Sequence, residues 1–179
     1  MPTFVALLRG INVNGKSSIK MDALRECMGR LGFTGVRTYV QSGNVVFHSA
    51  SASTTGVRKT IEHALLSDFG FAVPVLLRTP KQLAEIATGN PFLKQPAIES
   101  SKLYTTFLLD DPPPNATALL QPLAATSEQL HLIGREIYLH CPAGYGNTKL
   151  SNVAIERKLS VVATTRNWRT VSALMGMVQ

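Results

Sequence analysis

The sequence predicts an α+β protein of two tandem βαββαβ halves with antiparallel sheets, plus a connector helix and a C-terminal helix. Three observations carry this. Strand-like and helix-like periodicities follow one another in that order twice. Two turn sequences, Gln41–Asn44 and Gly134-Arg135, each separate a pair of strand-like runs and so mark hairpins. The 179 residues hold two such units without a long structureless loop. The expected divisions are 1–78 for the first half, 79–101 for the connector with its helix, and 102–179 for the second half with the closing helix.

In the first half "TFVALLR" (3–9) reads as a strand. Met21, Leu24, Met28 and Leu31 then share one helical face, and Gly32 is placed to end that helix. "VRTYV" (36–40) and "VVFHS" (45–49) are the hairpin strands, with "QSGN" as their turn. Val57, Ile61, Leu65 and Phe69 mark a second helix, and "AVPVLLR" (72–78) a fourth strand. Thr79 with Pro80 and Gln82 is the capping box of the connector helix, which Gly89-Asn90-Pro91 stops.

The order then recurs. "LYTTFLL" (103–109) is a strand, "DDPPPN" a rigid break, and Ala116–Leu123 a short helix. "QLHLI" and "EIYLHC" flank Gly134-Arg135. After "PAGYGNTK" come a helix near 150–159, a strand "VVAT" (161–164), and a helix from Trp168 with Val171, Leu174 and Met175 on one side. Each half is expected to place two helices on one sheet face, with its first and third strands parallel at the centre. The repeat is one of element order, without visible residue similarity between the halves.

Composition narrows the functional classes. An apolar fraction of 45% supports a packed core. No apolar run approaches a membrane helix, and "MPTFVALLRG" carries no basic stretch before its apolar segment, so no membrane partner and no leader are expected. Cys27 and Cys141 form neither a disulfide framework nor a zinc pattern, which points to a reduced, cytoplasmic protein. No metal or cofactor is expected. The net charge of +7 is uneven: residues 1–60 hold eight Arg and Lys against two acids, and 137–179 hold five against one. Basic ends of this kind suit a phosphate-containing ligand or nucleic acid.

"GINVNGKS" (10–17) satisfies G-x-x-x-x-G-K-[ST], the phosphate loop of nucleotide hydrolases. Three physical points argue that the match is incidental. Ile11 and Val13 are β-branched and resist positive φ, leaving Asn14 as the permissive residue. Helical periodicity begins only near Met21, with Asp22 in the first turn, where a carboxylate competes with a bound anion. Two hairpins imply antiparallel pairing, whereas such enzymes need parallel βα units.

The motifs "LLRGINVNGK", "YVQSGNVVF", "GYGNTKLSN" and "ATTRNW", in that order across nearly the whole chain, resemble the bacterial domain-of-unknown-function 1697 family. The resemblance implies tandem ferredoxin-like halves. It also implies signature positions at Arg9–Asn12, Gln41–Asn44, Gly144–Asn147 and Thr165–Trp168, and it assigns no catalytic residue.

Arg9, Gly10, Asn12, Gly15 and Lys16 in the first loop, Gly144, Gly146, Asn147 and Lys149 in a second, and Arg166 with Asn167 at a strand-to-helix junction are the candidate anion-binding residues. Charged side chains in glycine- and asparagine-rich turns offer donors to phosphate oxygens. The plain alternatives are turn-forming glycines, capping asparagines, and arginines that satisfy carbonyls or pair with Asp110 or Asp111. His48, His63, His131 and His140 lack ligand spacing, and His140 and Cys141 point to opposite strand faces. Three classes stay open: an anion-binding module for nucleic acid or another polyanion, an enzyme on a small phosphorylated or carboxylate metabolite, and a small P-loop NTPase or kinase.

Overall fold

In the computed structural model, which describes residues 1–179, the apolar run Thr3–Leu8 forms β1. It is followed by α1 (Met21–Arg30), β2 (Thr34–Tyr39), β3 (Asn44–His48), α2 (Thr54–Phe69) and β4 (Val75–Arg78). The sheet order is β2-β3-β1-β4, and every neighbouring pair is antiparallel. Leu24, Cys27 and Met28 of α1 and Val57, Ile61 and Leu65 of α2 pack on one sheet face with Phe4, Ala6, Leu8, Val45, Phe47, Val75 and Leu77. The α2 helix is capped at Ser53, whose hydroxyl accepts from the Gly56 amide, and ends at left-handed Gly70.

Thr79 and Gln82 bond reciprocally, at 3.2 and 2.9 Å, and so start α3 (Pro80–Gly89) with the expected capping box. Two 3-10 turns, Pro91–Lys94 and Ser100–Lys102, lead into β5 (Leu103–Leu108). Then come α4 (Ala116–Leu120), β6 (Gln129–Ile133), β7 (Glu136–His140), α5 (Asn152–Leu159), β8 (Ala163–Asn167) and α6 (Trp168–Val178). The second sheet has the order β6-β7-β5-β8, again antiparallel throughout. These are two tandem ferredoxin-like halves with a C-terminal helix. No helix is long and apolar enough to cross a membrane.

Two expectations change. The first and third strands of each sheet run antiparallel, because the parallel crossover joins β1 to β2 and the hairpin then returns β3 between them. The strand expected at 161–164 is displaced: Ser160 closes α5 in the left-handed region, and β8 runs from Ala163 to Asn167. Its polar "TTR" reads poorly as a strand, yet Thr165 and Thr106 share a 2.8 Å hydrogen bond across to β5. By chain contacts the molecule divides into Met1–Ala84 with Ala173–Gln179, and Glu85–Ser172. The last residues thus belong with the first unit, where the Arg37 guanidinium donates to the Met177 carbonyl.

The repeat extends to individual residues. In the first sheet Val5 opposes Arg78 and Leu8 opposes Val75; in the second Thr105 opposes Arg166 and Leu108 opposes Ala163. Glu62 accepts from the Val75 amide at 3.0 Å, and Glu156 from the equivalent Ala163 amide at 2.9 Å. Ser151 caps α5 as Ser53 caps α2. After each buried arginine the next residue caps a helix: Thr79 for α3, and Asn167, which accepts from the Thr170 amide, for α6. The connector helix is therefore the counterpart of the C-terminal helix.

Removing the acceptor of a buried amide costs about 1–3 kcal/mol. Glu62→Ala and Glu156→Ala should each destabilise by about that amount in urea denaturation, whereas exposed Lys59→Ala should change stability by less than about 0.5 kcal/mol.

Candidate functional site

The loop after β1 is held at its root on both sides. The Leu8 amide donates to Gly43 O at 2.8 Å and the Arg9 amide to Pro74 O at 2.9 Å. Ile11 is buried against the "QSGN" turn. Gly43 lies there at φ +86°, where a Cβ would fall 2.7 Å from Leu8 Cβ and 2.9 Å from Ile11 Cδ1. Only glycine fits that approach.

Asn12 locks the two motifs together. Its Nδ2 donates to Ile19 O at 2.9 Å and to Gln41 O at 2.7 Å, and its Oδ1 accepts from the Ile19 amide at 2.8 Å. Between these anchors "NVNGKS" forms a small hairpin. The Asn12 amide donates to Ser17 O and the Lys16 amide to Val13 O, with Asn14 and Gly15 at φ +51° and +73°. Positive φ at both central residues is the type I′ pattern of an Asn-Gly hairpin. Asn12, at φ +55°, and Ser17, at φ +51°, also adopt the left-handed region, beyond the single permissive Asn14 expected from sequence. Gly15 is therefore a turn residue. The Lys16 amide, which a phosphate loop aims at its ligand, is spent on Val13. The α1 helix starts at Met21 without a side-chain cap from Lys20, and Asp22 binds the Ala23 amide in its first turn.

Around this loop Arg9 is half-buried, and Gly10, Lys16 and Lys20 are exposed. Neither Lys16 nor Lys20 has a carboxylate within ion-pairing distance. Val40, exposed and at φ +47°, stands beside Gln41 on the neighbouring turn. A β-branched residue in that region is strained, and the Asn12–Gln41 bond helps to hold it.

The second group of candidates lies in the other unit. Gly144, at φ +92°, opens a 3-10 turn, Tyr145–Asn147, in which the Asn147 side chain donates to Ala143 O at 2.8 Å. Gly146, Asn147 and Lys149 are exposed, and buried Cys141 and Leu150 anchor the segment. Arg166 is not part of this loop. It lies within β8, only 7% exposed, on the strand face opposite to Ala163 and Thr165, and its guanidinium donates to Thr164 Oγ1 and Thr165 O. Burial pulls it down to about 10, so it stays charged at neutral pH. Asn167 caps α6. The structure thus gathers Arg9, Gly10, Asn12, Gly15 and Lys16 in one loop, and Gly144, Gly146, Asn147 and Lys149 in another. Asp111 is faced by Arg135, at 3.8 Å.

His131 and His140 sit diagonally on the second hairpin, with the Phe92 ring centred 5.2 and 5.9 Å from them. No group of three His, Cys, Asp or Glu side chains could hold a metal ion. Trp168 is buried, as expected of an apolar helical face. Cys27 and Cys141 are buried as well, and burial raises both thiols to about 11, aided by Asp68 and Glu128 respectively. Lys20 and Glu128 were not among the sequence candidates, and Gln41 was marked there only as a signature position. Asn14-Gly15 was a readable hairpin signal, whereas nothing local marks Gln41 as the acceptor for Asn12.

Asn12→Ala removes three hydrogen bonds and should cost about 2–3 kcal/mol in urea denaturation, while exposed Lys16→Ala should leave stability within about 0.5 kcal/mol. Magnesium-dependent ATP or GTP turnover should be undetectable in both variants and in the parent. The thiols give a pH test. Their protons are held more tightly in the folded state, so the stabilisation is complete below about pH 9 and lost as pH rises toward 11. Thermal melting followed across that range should show the decline, and Ellman's reagent at pH 8 should label neither cysteine before unfolding.

Among solved structures, that of the conserved bacterial protein SP0830 from Streptococcus pneumoniae matches with a TM-score of 0.79 at 22% identity, covering 99% of each chain. At that identity the likeness carries the fold. No curated protein matches the chain significantly. The profile of a family described as "Protein of unknown function (DUF1697)" matches residues 1–138, and the chain belongs to that family.

Proposed function

We propose that this protein is a binding module for a phosphate-bearing polyanion, nucleic acid or another, contacted at the loop end of the first unit by Arg9, Lys16 and Lys20. One observation carries the reading: two exposed lysines without ion pairs project around a hairpin that Asn12 fixes in place, in a stretch with no acid before Asp22. A pre-fixed cationic loop loses little conformational entropy on binding. Gly10 and Gly15 shape the loop, and Asn12 holds it, without themselves needing to touch the ligand.

The alternative place for nucleic acid on a ferredoxin-like half is the sheet surface away from the helices. Here that face is closed in the first unit, since Val5, Leu7, Val46 and Leu76 are fully buried. It also lacks the interleaved aromatics of that mode. Two buried, unbridged cysteines fit a reducing, cytoplasmic setting.

A labelled single-stranded RNA of about twelve nucleotides, followed by fluorescence anisotropy, tests the proposal. Affinity should fall steeply between about 50 and 200 mM salt, and Lys16→Ala and Lys20→Ala should each lower the logarithmic salt slope by about 0.7. Identical affinity and slope in the parent and the double variant would overturn it.

A further inference from the structure

The second unit carries a cavity of about 180 Å³ where the Asn147–Lys149 segment faces the turn after α4. That is the space of about six waters. Pro122, Leu123 and Ala124 give it an apolar side, and two opposite charges, Glu128 and Lys149, also line it. Glu128 is only 8% exposed; its Oε1 accepts from the Ala125 amide at 2.9 Å and its carboxylate also accepts from the buried Cys141 thiol, which together fix the carboxylate. Lys149 forms no ion pair with Glu128 or with any other carboxylate, although both border the same small space.

A nearly buried carboxylate and an ammonium that share a cavity without meeting call for a ligand that carries both opposite charges. We propose that this cavity binds a small zwitterion, a free α-amino acid with a short apolar side chain. The ligand carboxylate meets Lys149, its ammonium meets Glu128, and its side chain lies on Leu123 and Ala124. Asn147 uses its Nδ2 on Ala143, which leaves the Oδ1 as a further acceptor for the ammonium. The larger cavity of the first unit, about 340 Å³, is lined only by uncharged residues such as Phe33, Ser51 and Thr60, and offers no such pair. This site stands in the other unit from the polyanion loop, and the two proposals fail independently.

Isothermal calorimetry with glycine, L-alanine and L-valine tests it, with propionate and ethylammonium as analogues that keep one charge each. At least one amino acid should bind at millimolar concentration or tighter, and both single-charge analogues should bind about tenfold or more weakly than it. Lys149→Met, at an exposed position, should fold with an unchanged melting temperature and lose about tenfold or more in affinity. Glu128→Gln should do the same to binding, with circular dichroism confirming its fold. No heat from any of the three amino acids up to about 10 mM would overturn the proposal. So would propionate or ethylammonium binding as tightly as the amino acid, or parent-like affinity in Lys149→Met.

Discussion

β1 and β5 have no free side. Each is hydrogen-bonded to a neighbour on both edges, and each has buried side chains on both faces. A strand enclosed in this way satisfies its backbone polar groups completely and admits nothing from solvent. The consequence reaches through each unit: the central strands keep no open surface, and any recognition would fall to the loops that leave the strand ends. In the first unit those loops are bound to each other. Leu8 and Arg9 are tied to the two neighbouring segments, Gly43 admits Ile11, and Asn12 joins the first loop to the second.

The same enclosure explains why the repeat hides in the sequence. Equivalent positions need the same backbone bonds but not the same side-chain chemistry. Val5, Leu76 and Leu77 of the first sheet correspond to Thr105, Thr164 and Thr165 of the second. Buried Thr106 and Thr164 find partners for their hydroxyls in Thr165 and Arg166, whereas the buried Thr105 hydroxyl has none. What persists is the set of groups that finish backbone structure: Ser53 and Ser151, Glu62 and Glu156, Arg78 and Arg166, Thr79 and Asn167.

Much of the fold was legible because local signals agreed with tertiary demands. The Thr79–Gln82 box, the stop at Gly32 and both hairpins lie where periodicity and turn chemistry put them. Strand β8 was misplaced because "ATTRN" has no apolar alternation, and its pairing with β5 is a long-range effect. The direction of β3 relative to β1 follows from counting reversals, and local pattern does not encode it. For the candidate site, the loop residues were readable as glycine, asparagine and cation clusters. Their grouping was not, because Arg166 looks like a junction residue in sequence and becomes a buried one only once β8 pairs. The nucleotide-loop match shows the same limit from the other side: a spacing of glycines and a lysine can be met by a two-residue turn whose amides serve the hairpin itself.

The placement of Ala173–Gln179 with the first unit bears on how the protein is made. Met1–Ala84 is synthesised well ahead of those residues, which follow about 90 positions later. At ribosomal speeds of roughly 5–20 residues per second, that gap lasts on the order of 4–18 s. For that interval the first unit must wait on the nascent chain with the Arg37 guanidinium lacking the Met177 carbonyl. The second unit, Glu85–Ser172, is continuous and has no such delay. In translation the later-made unit is therefore the earlier one to have all its parts.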